Sequence, residues 1–434
     1  MTVSSRSLSP APSRNVTTAR DRVADTRLAL LSAAVALPVH VGACAVPDGG
    51  LFRAARFRDV HLYQGFADLV FDGRVPYRDF FMEYPPGALA VFLPPAAFGS
   101  HHYNAAFKAL MALCGAAMLV LVALLLVRLG ASVLRLWAAL LLVALSPIAL
   151  GPISLNTYDA WPALLTVAAL ATLLAGSAVP ALGLLGLAFT AKVYPIALAP
   201  PALVFVWRTA GRERALRAAA AFAGVAALVV VPFLTLAPHG LAESFRAQAA
   251  RALQVESLGA SLLAAADHLG LYSATVVHRT GHAISYDLAG SLPEALGVTS
   301  SALQVLAVLL VVWLYGRGRD DPRRLAVSFA AAAAGFLAFT RFFSPQYLVW
   351  LVPFVALLGP LAWALTAAAL VLAQVWFFHY SDVFALGGYV WLVLLRNLLV
   401  VALFVVALVA LRRHTAEHED PVLLEDELPV RVPT

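Results

Sequence analysis

The chain has 434 residues, 62% hydrophobic and only 12% charged, with a formal net charge of +6 and a mean hydropathy of +0.84. Soluble globular chains carry about 25% charged residues, so soluble α/β, TIM-barrel and sandwich folds are excluded for the bulk of the chain. Long unbroken apolar runs, in place of period-two alternation, exclude a β-barrel. What remains is an all-α integral membrane bundle, in which each crossing needs about 20 apolar residues.

Residues 1–26, rich in Ser, Pro, Thr and Arg, read as a disordered cytoplasmic tail. The first apolar run, 28–46, is followed by Pro47-Asp48-Gly49-Gly50 in place of a small-residue cleavage site, so it reads as a crossing and not a signal peptide. Further runs fall at 103–127, 133–150, 160–176, 180–191, 193–207, 218–237, 299–316, 325–340, 346–359, 361–378 and 389–411. The runs 180–191 and 193–207 are short, which leaves open one long span or two. Arginines cluster at 14–27, 208–217, 317–324 and 412–413. Placing those clusters inside gives twelve crossings, both termini cytoplasmic, a polytopic domain over 27–411 and a second tail at 412–434. The run 86–99 contains Pro94-Pro95 and is too short to cross; it reads as a helix on the outer surface.

Two outer loops, 48–102 and 238–298, are then long, and loops beyond about 12–15 residues are usually functional. The first interleaves Arg58, Asp59, His61 and Tyr63 with Arg74, Tyr77, Arg78, Asp79, Glu83 and Tyr84. Elsewhere ionisable residues stand at the outer ends of spans: Asp159, Lys192 and Arg341. Arg396 lies inside the last span, with Asp382 as an available partner. Charge at membrane depth is expensive and normally faces a cavity or a partner. These groups therefore point to one outward-facing chamber at the lipid boundary. Basic groups there suit a lipid-linked phosphate, and a carboxylate there suits a general base. A transporter or lipid-linked sugar flippase is the alternative, but it would gather its ionisable groups near the midplane.

Competing chemistry has no motif in the sequence: no Walker loop, Gly-x-Ser-x-Gly, His-Glu-x-x-His or paired cysteines. Cys44 and Cys114 both lie in apolar runs, and the neighbours His101 and His102 point apart in regular structure. Nucleic acid is not implied by the charge.

At this point the residues resemble a family. Asp59 to Tyr63 forms Asp-x-x-x-Tyr, followed by Gly73-x-x-x-Tyr77 and Tyr84-Pro85-Pro86. Lys192-Val193-Tyr194-Pro195, Leu253-Gln254-Val255-Glu256-Ser257-Leu258 and Ser344-Pro345-Gln346-Tyr347-Leu348-Val349-Trp350 extend the likeness over roughly 28–410. Together they look like the GT-C superfamily of polytopic glycosyltransferases, and most like family 87, the polyprenyl-phosphate-mannose-dependent α-mannosyltransferases of bacterial envelope glycolipids.

The resemblance implies a GT-C type bundle of about 12 transmembrane helices with long first and fourth outer loops. It implies a hexosyltransferase of the bacterial plasma membrane, active on the outer face, with membrane lipids around it. The donor would be a polyprenyl-phosphate-linked sugar, the acceptor an envelope glycolipid or glycan, and Asp59 the catalytic base of an inverting displacement. Lys192, Arg341 and Arg251 are the candidates for the donor phosphate. Glu83, Asp159, Tyr63, Glu256, His278 and His282 are candidates for acceptor binding or support. Glu256 departs from the amide expected at its position in some relatives. No Asp-x-Asp pair accompanies Asp59, so no metal or other cofactor is expected, with Mg²⁺ left open.

Overall fold

The computed structural model describes residues 19–46, 59–279 and 285–416. His282, the start of the first outer loop and most of both expected tails lie outside those residues. The helices in chain order begin with α1 (Ala19–Ala45), α2 (Asp59–Phe71), α3 (Leu89–Phe92), α4 (Tyr103–Arg128), α5 (Val133–Leu150) and α6 (Ile153–Asn156). Next come α7 (Ala160–Leu174), α8 (Ala178–Ala191), α9 (Ala199–Leu236), α10 (Pro238–Ala249) and α11 (Leu258–His268). A hairpin of β1 (Thr275–Arg279) and β2 (Ser285–Ala289) follows, antiparallel, with His278 opposite Tyr286. The chain ends with α12 (Ser291–Arg317), α13 (Pro322–Ala338), α14 (Val352–Val355), α15 (Pro360–Phe377), α16 (Tyr380–Phe384) and α17 (Val390–Ala416).

Seven helices among the described residues are long and apolar enough to cross a membrane: α1, α4, α5, α9, α12, α15 and α17. Four shorter apolar segments, Pro86–Phe98, α7, α8 and Pro345–Val355, pack among them. The chain is thus an all-α membrane protein carrying one small hairpin.

Several boundaries differ from the periodicity, each for a local reason. α1 starts at Ala19, inside the expected tail, because Ala and Arg are good helix formers. The runs 193–207 and 218–237 are parts of one element, α9, broken at Gly211, whose φ of 84° suits glycine alone. α8 and α9 are separate elements: Lys192 is extended (φ −150°, ψ 149°) and Pro195 follows it. The expected span 346–359 is irregular: a 3₁₀ turn, Pro345–Trp350, precedes α14, and Pro345 and Pro353 deny it helical hydrogen bonds. The second long loop is largely folded, since α10, α11, the hairpin and the first turns of α12 occupy it.

Several arginines donate to backbone carbonyls at, or just past, helix C-termini. Arg135 donates to the carbonyls of Leu357 and Leu358, both at 2.7 Å. Arg208 donates to Gly316 (2.6 Å) and Arg323 to Leu129 (3.0 Å). Arg324, fully buried, donates to Leu314, Tyr315 and Arg319. The last carbonyls of a helix lack intrahelical donors and carry partial negative charge, so a guanidinium satisfies both needs.

Candidate functional site

Asp59 is the first residue of α2. That helix buries Val60, Tyr63, Phe66 and Ala67, one face at helical spacing. Tyr63 enters an aromatic cluster, stacked on Phe92 at 4.3 Å and edge-on to Tyr84 (5.5 Å) and Tyr158 (5.7 Å). Asp59 lies one turn before Tyr63 on that face. Its carboxyl is pushed up to about 6, first by burial and then by the charge of Glu83, with Lys192 pulling the other way and Asp159 adding to the rise. Those four groups therefore share one field. Among the described residues, the Asp59 carboxylate makes no ion pair.

Asp159 and Lys192 form the best-defined pair. Asp159 is 0% exposed, and its Oδ1 accepts from Lys192 Nζ and from Trp350 Nε1, each at 2.8 Å. Lys192 Nζ also faces the rings of Tyr158 (4.3 Å), Tyr347 (4.8 Å) and Trp350 (5.6 Å). The extended backbone at Lys192 aims it here, and the Tyr158 hydroxyl donates to the adjacent Ala191 carbonyl (3.1 Å). Asp159 Oδ2 is buried, with no hydrogen-bond partner among the described residues.

Glu83 and Arg251 form the second pair, with Arg251 Nη2 3.1 Å from Glu83 Oε2. The Arg251 guanidinium carbon also lies over the Phe342 ring, 3.9 Å from its centroid. α10 sets this geometry: Ser244 Oγ donates to Met82 O (2.7 Å) and Gln248 Nε2 to Glu83 O (2.9 Å). Ser244 and Gln248, at i and i+4, lie on one face of α10 laid on the 82–83 segment, and Arg251 follows just past the helix end. Burial pushes the Glu83 carboxyl up, with Arg251 opposing.

The other candidates stand further off. Arg341 donates its guanidinium to Ala249 O, and its own carbonyl accepts from Gln254 N at 3.0 Å. It therefore flanks Arg251 through the backbone. Gln254 Oε1 in turn accepts from Phe343 N at 3.0 Å. Glu256 is buried and its carboxyl is pushed up to about 8, by burial against the pull of Arg396. Its backbone carbonyl accepts from Arg396 Nη2 at 2.6 Å. The expected pairing of Arg396 with Asp382 is thus not what the fold makes, since Asp382 accepts from Tyr389 N (2.9 Å). His278 stacks on Tyr286 at 4.3 Å, on the hairpin surface, and His282 lies outside the described residues.

The fold thus brings Asp59, Tyr63, Glu83, Asp159, Lys192 and Arg251 together, places Arg341 and Glu256 behind them, and sets His278 on the hairpin. Sequence reading passed over Tyr158, Ser244, Gln248, Tyr347 and Trp350. The i, i+4 spacing on α10 is the sequence signal for Ser244 and Gln248, and Trp350 closes the Ser344–Trp350 motif. Among the described residues no group of three His, Cys, Asp or Glu side chains is arranged to hold a metal.

Among the described residues the cluster offers one carboxylate without an ion pair, Asp59, beside two cation–carboxylate pairs, with Tyr63, Tyr84, Phe92 and Tyr158 packed against one another next to them. A family model for glycosyltransferase family 87 matches residues 81–345, more than half of the chain. The match takes in Glu83, Asp159, Lys192, Arg251, Glu256 and Arg341 and begins beyond Asp59 and Tyr63. A search of curated proteins finds no match to the chain. The matched span carries both ion pairs of the cluster, and on it the chain belongs to glycosyltransferase family 87 and is a membrane glycosyltransferase.

Proposed function

We propose that the protein transfers a hexose, mannose by its family resemblance, from a polyprenyl-phosphate-linked donor to an envelope glycolipid or glycan on the outer membrane face. The observation that carries this reading is the contrast among the three carboxylates. Asp159 and Glu83 are each bridged to a cation, whereas Asp59 has no described partner and is raised to about 6. A base poised near the working pH combines availability with driving force.

Asp59 takes the proton from an acceptor hydroxyl as that oxygen attacks the anomeric carbon, and the bond from that carbon to the phosphate oxygen breaks. The polyprenyl phosphate departs as an anion, so it needs positive charge more than a proton; one carboxylate suffices where glycoside hydrolases use two. Arg251, Lys192 and Arg341 supply that charge, with the phosphate competing against Glu83 for Arg251. A single displacement inverts the anomeric centre. The short segments α7, α8 and 345–358, together with α13 and the two halves of α9, complete twelve passes with the other six long helices, both termini cytoplasmic, and the prenyl tail stays in the bilayer.

The test is transfer by purified protein in liposomes, with radiolabelled mannose on polyprenyl phosphate or on a nucleotide. The reading expects a glycolipid product of inverted anomeric configuration from the lipid donor alone. Transfer from the nucleotide sugar only, or a retained configuration, would overturn it.

A further inference from the structure

Behind the ion pairs lies a second buried polar group that the transfer chemistry leaves unused. Arg396 and Asn397, on α17, are 0% and 1% exposed. Both donate to one acceptor, the backbone carbonyl of Glu256, at 2.6 Å from Arg396 Nη2 and 3.1 Å from Asn397 Nδ2. Asn397 Nδ2 also reaches Ser261 Oγ at 3.0 Å. The Arg396 guanidinium carbon lies over the Phe343 ring, 3.8 Å from its centroid. One side chain therefore grips two segments at once, 254–257 through a carbonyl and 341–347 through a ring. Gln254 ties those segments to each other by accepting from Phe343 N and donating its own N–H to Arg341 O. The same segments carry Arg341, Tyr347 and, just upstream, Arg251.

A buried guanidinium that only neutralised Glu256 would turn toward its carboxylate. Instead, among the described residues, the carboxylate oxygen Oε2 has no hydrogen-bond partner, nor do Arg396 Nε and Nη1, Asn397 Oδ1 and Trp376 Nε1. Leaving buried polar atoms unmatched costs free energy, so the arrangement is one that the fold maintains against a local penalty. The geometry points to Arg396 as a positioning residue for the transfer site, which fixes the 341–347 strap and the arginines beside it by clamping the Glu256 carbonyl and the Phe343 ring. This inference rests on the proposed placement of the donor phosphate at Arg251 and Arg341.

The test pairs steady-state kinetics with hydrogen exchange on the full-length protein in detergent. Arg396→Gln is expected to raise the donor KM about tenfold or more, since small misplacements at a site cost that much, while kcat stays within about threefold. Exchange should rise at 253–257 and 341–347, and Arg396→Lys should recover part of both effects. Glu256→Gln keeps the carbonyl and should leave exchange in those segments unchanged. A folded Arg396→Gln with unchanged KM and exchange, or a Glu256→Gln with the same exchange increase, would overturn the clamp. If Arg396→Gln does not fold, Asn397→Ala and Arg396→Lys carry the test, and unaltered exchange at 253–257 in both sinks it. An Arg251→Ala variant with unchanged donor KM would refute the phosphate placement instead, leaving the exchange result standing.

Discussion

Lys192 is held by Asp159 on one side and by the faces of Tyr158, Tyr347 and Trp350 on the others. Removing one partner of a buried pair leaves an uncompensated charge and costs about 3–5 kcal/mol. Lys192→Met should therefore melt well below wild type, and Asp159→Asn in that background should recover most of the loss, measured as thermal shifts in detergent. Asp59 predicts the opposite sign. Its carboxyl titrates above the ordinary carboxylate range, so the folded state binds the proton more tightly than the unfolded chain. That contribution favours folding at acid pH and is lost as pH rises to about 6, leaving a buried charge as a burden at neutral pH. Asp59→Asn should thus melt at or above the wild-type temperature while losing kcat by about 10²-fold or more. A fall in melting temperature as large as that of Lys192→Met would show that Asp59 is structural.

At the scale of elements, the site is assembled by one loop gripping another. α10 lays Ser244 and Gln248 on Met82 and Glu83, and Arg251, two residues past its end, pairs with Glu83. The first turn of α10 comes so close to the first loop that a Cβ on Gly240 would collide with the Tyr77 carbonyl. Tyr77 itself holds a left-handed φ of 67° and donates its hydroxyl to Tyr84 O at 2.6 Å. Gly240→Ala should therefore push α10 off the loop. It should destabilise the fold by about 1–3 kcal/mol and raise the donor KM through Arg251, an outcome checked by melting and kinetics together.

Much of this organisation was legible in the chain. Hydropathy located the long helices, and the sparse charges Asp59, Glu83, Asp159, Lys192 and Arg251 lie near one another in the fold. The pairing among them was not legible, because it depends on where α10 and the 341–358 strap come to rest. Nor was the break at Gly211, since hydropathy reports apolar length and is silent on backbone conformation. Arg396 faced a carbonyl that no charge pattern could nominate.

For the molecule as a whole, a charge content of 12% divides between two tasks. Arginines such as Arg135, Arg208, Arg323 and Arg324 close helix ends by donating to carbonyls. A smaller set, gathered from residues 59 to 251, makes a cluster of charged side chains in a protein that belongs to glycosyltransferase family 87. The family match begins at residue 81, so the role of Asp59 rests on its position on α2 and on its place in the field of Glu83, Asp159 and Lys192. The pH dependence of kcat/KM for transfer from polyprenyl-phosphate mannose, compared between wild type and Asp59→Asn, addresses that role directly. Wild type should rise with pH as the carboxylate forms, half-maximal near 6, while Asp59→Asn should be flat over the same range and lower by about 10²-fold or more. An Asp59→Asn enzyme that keeps the acid limb and the wild-type rate would contradict the account.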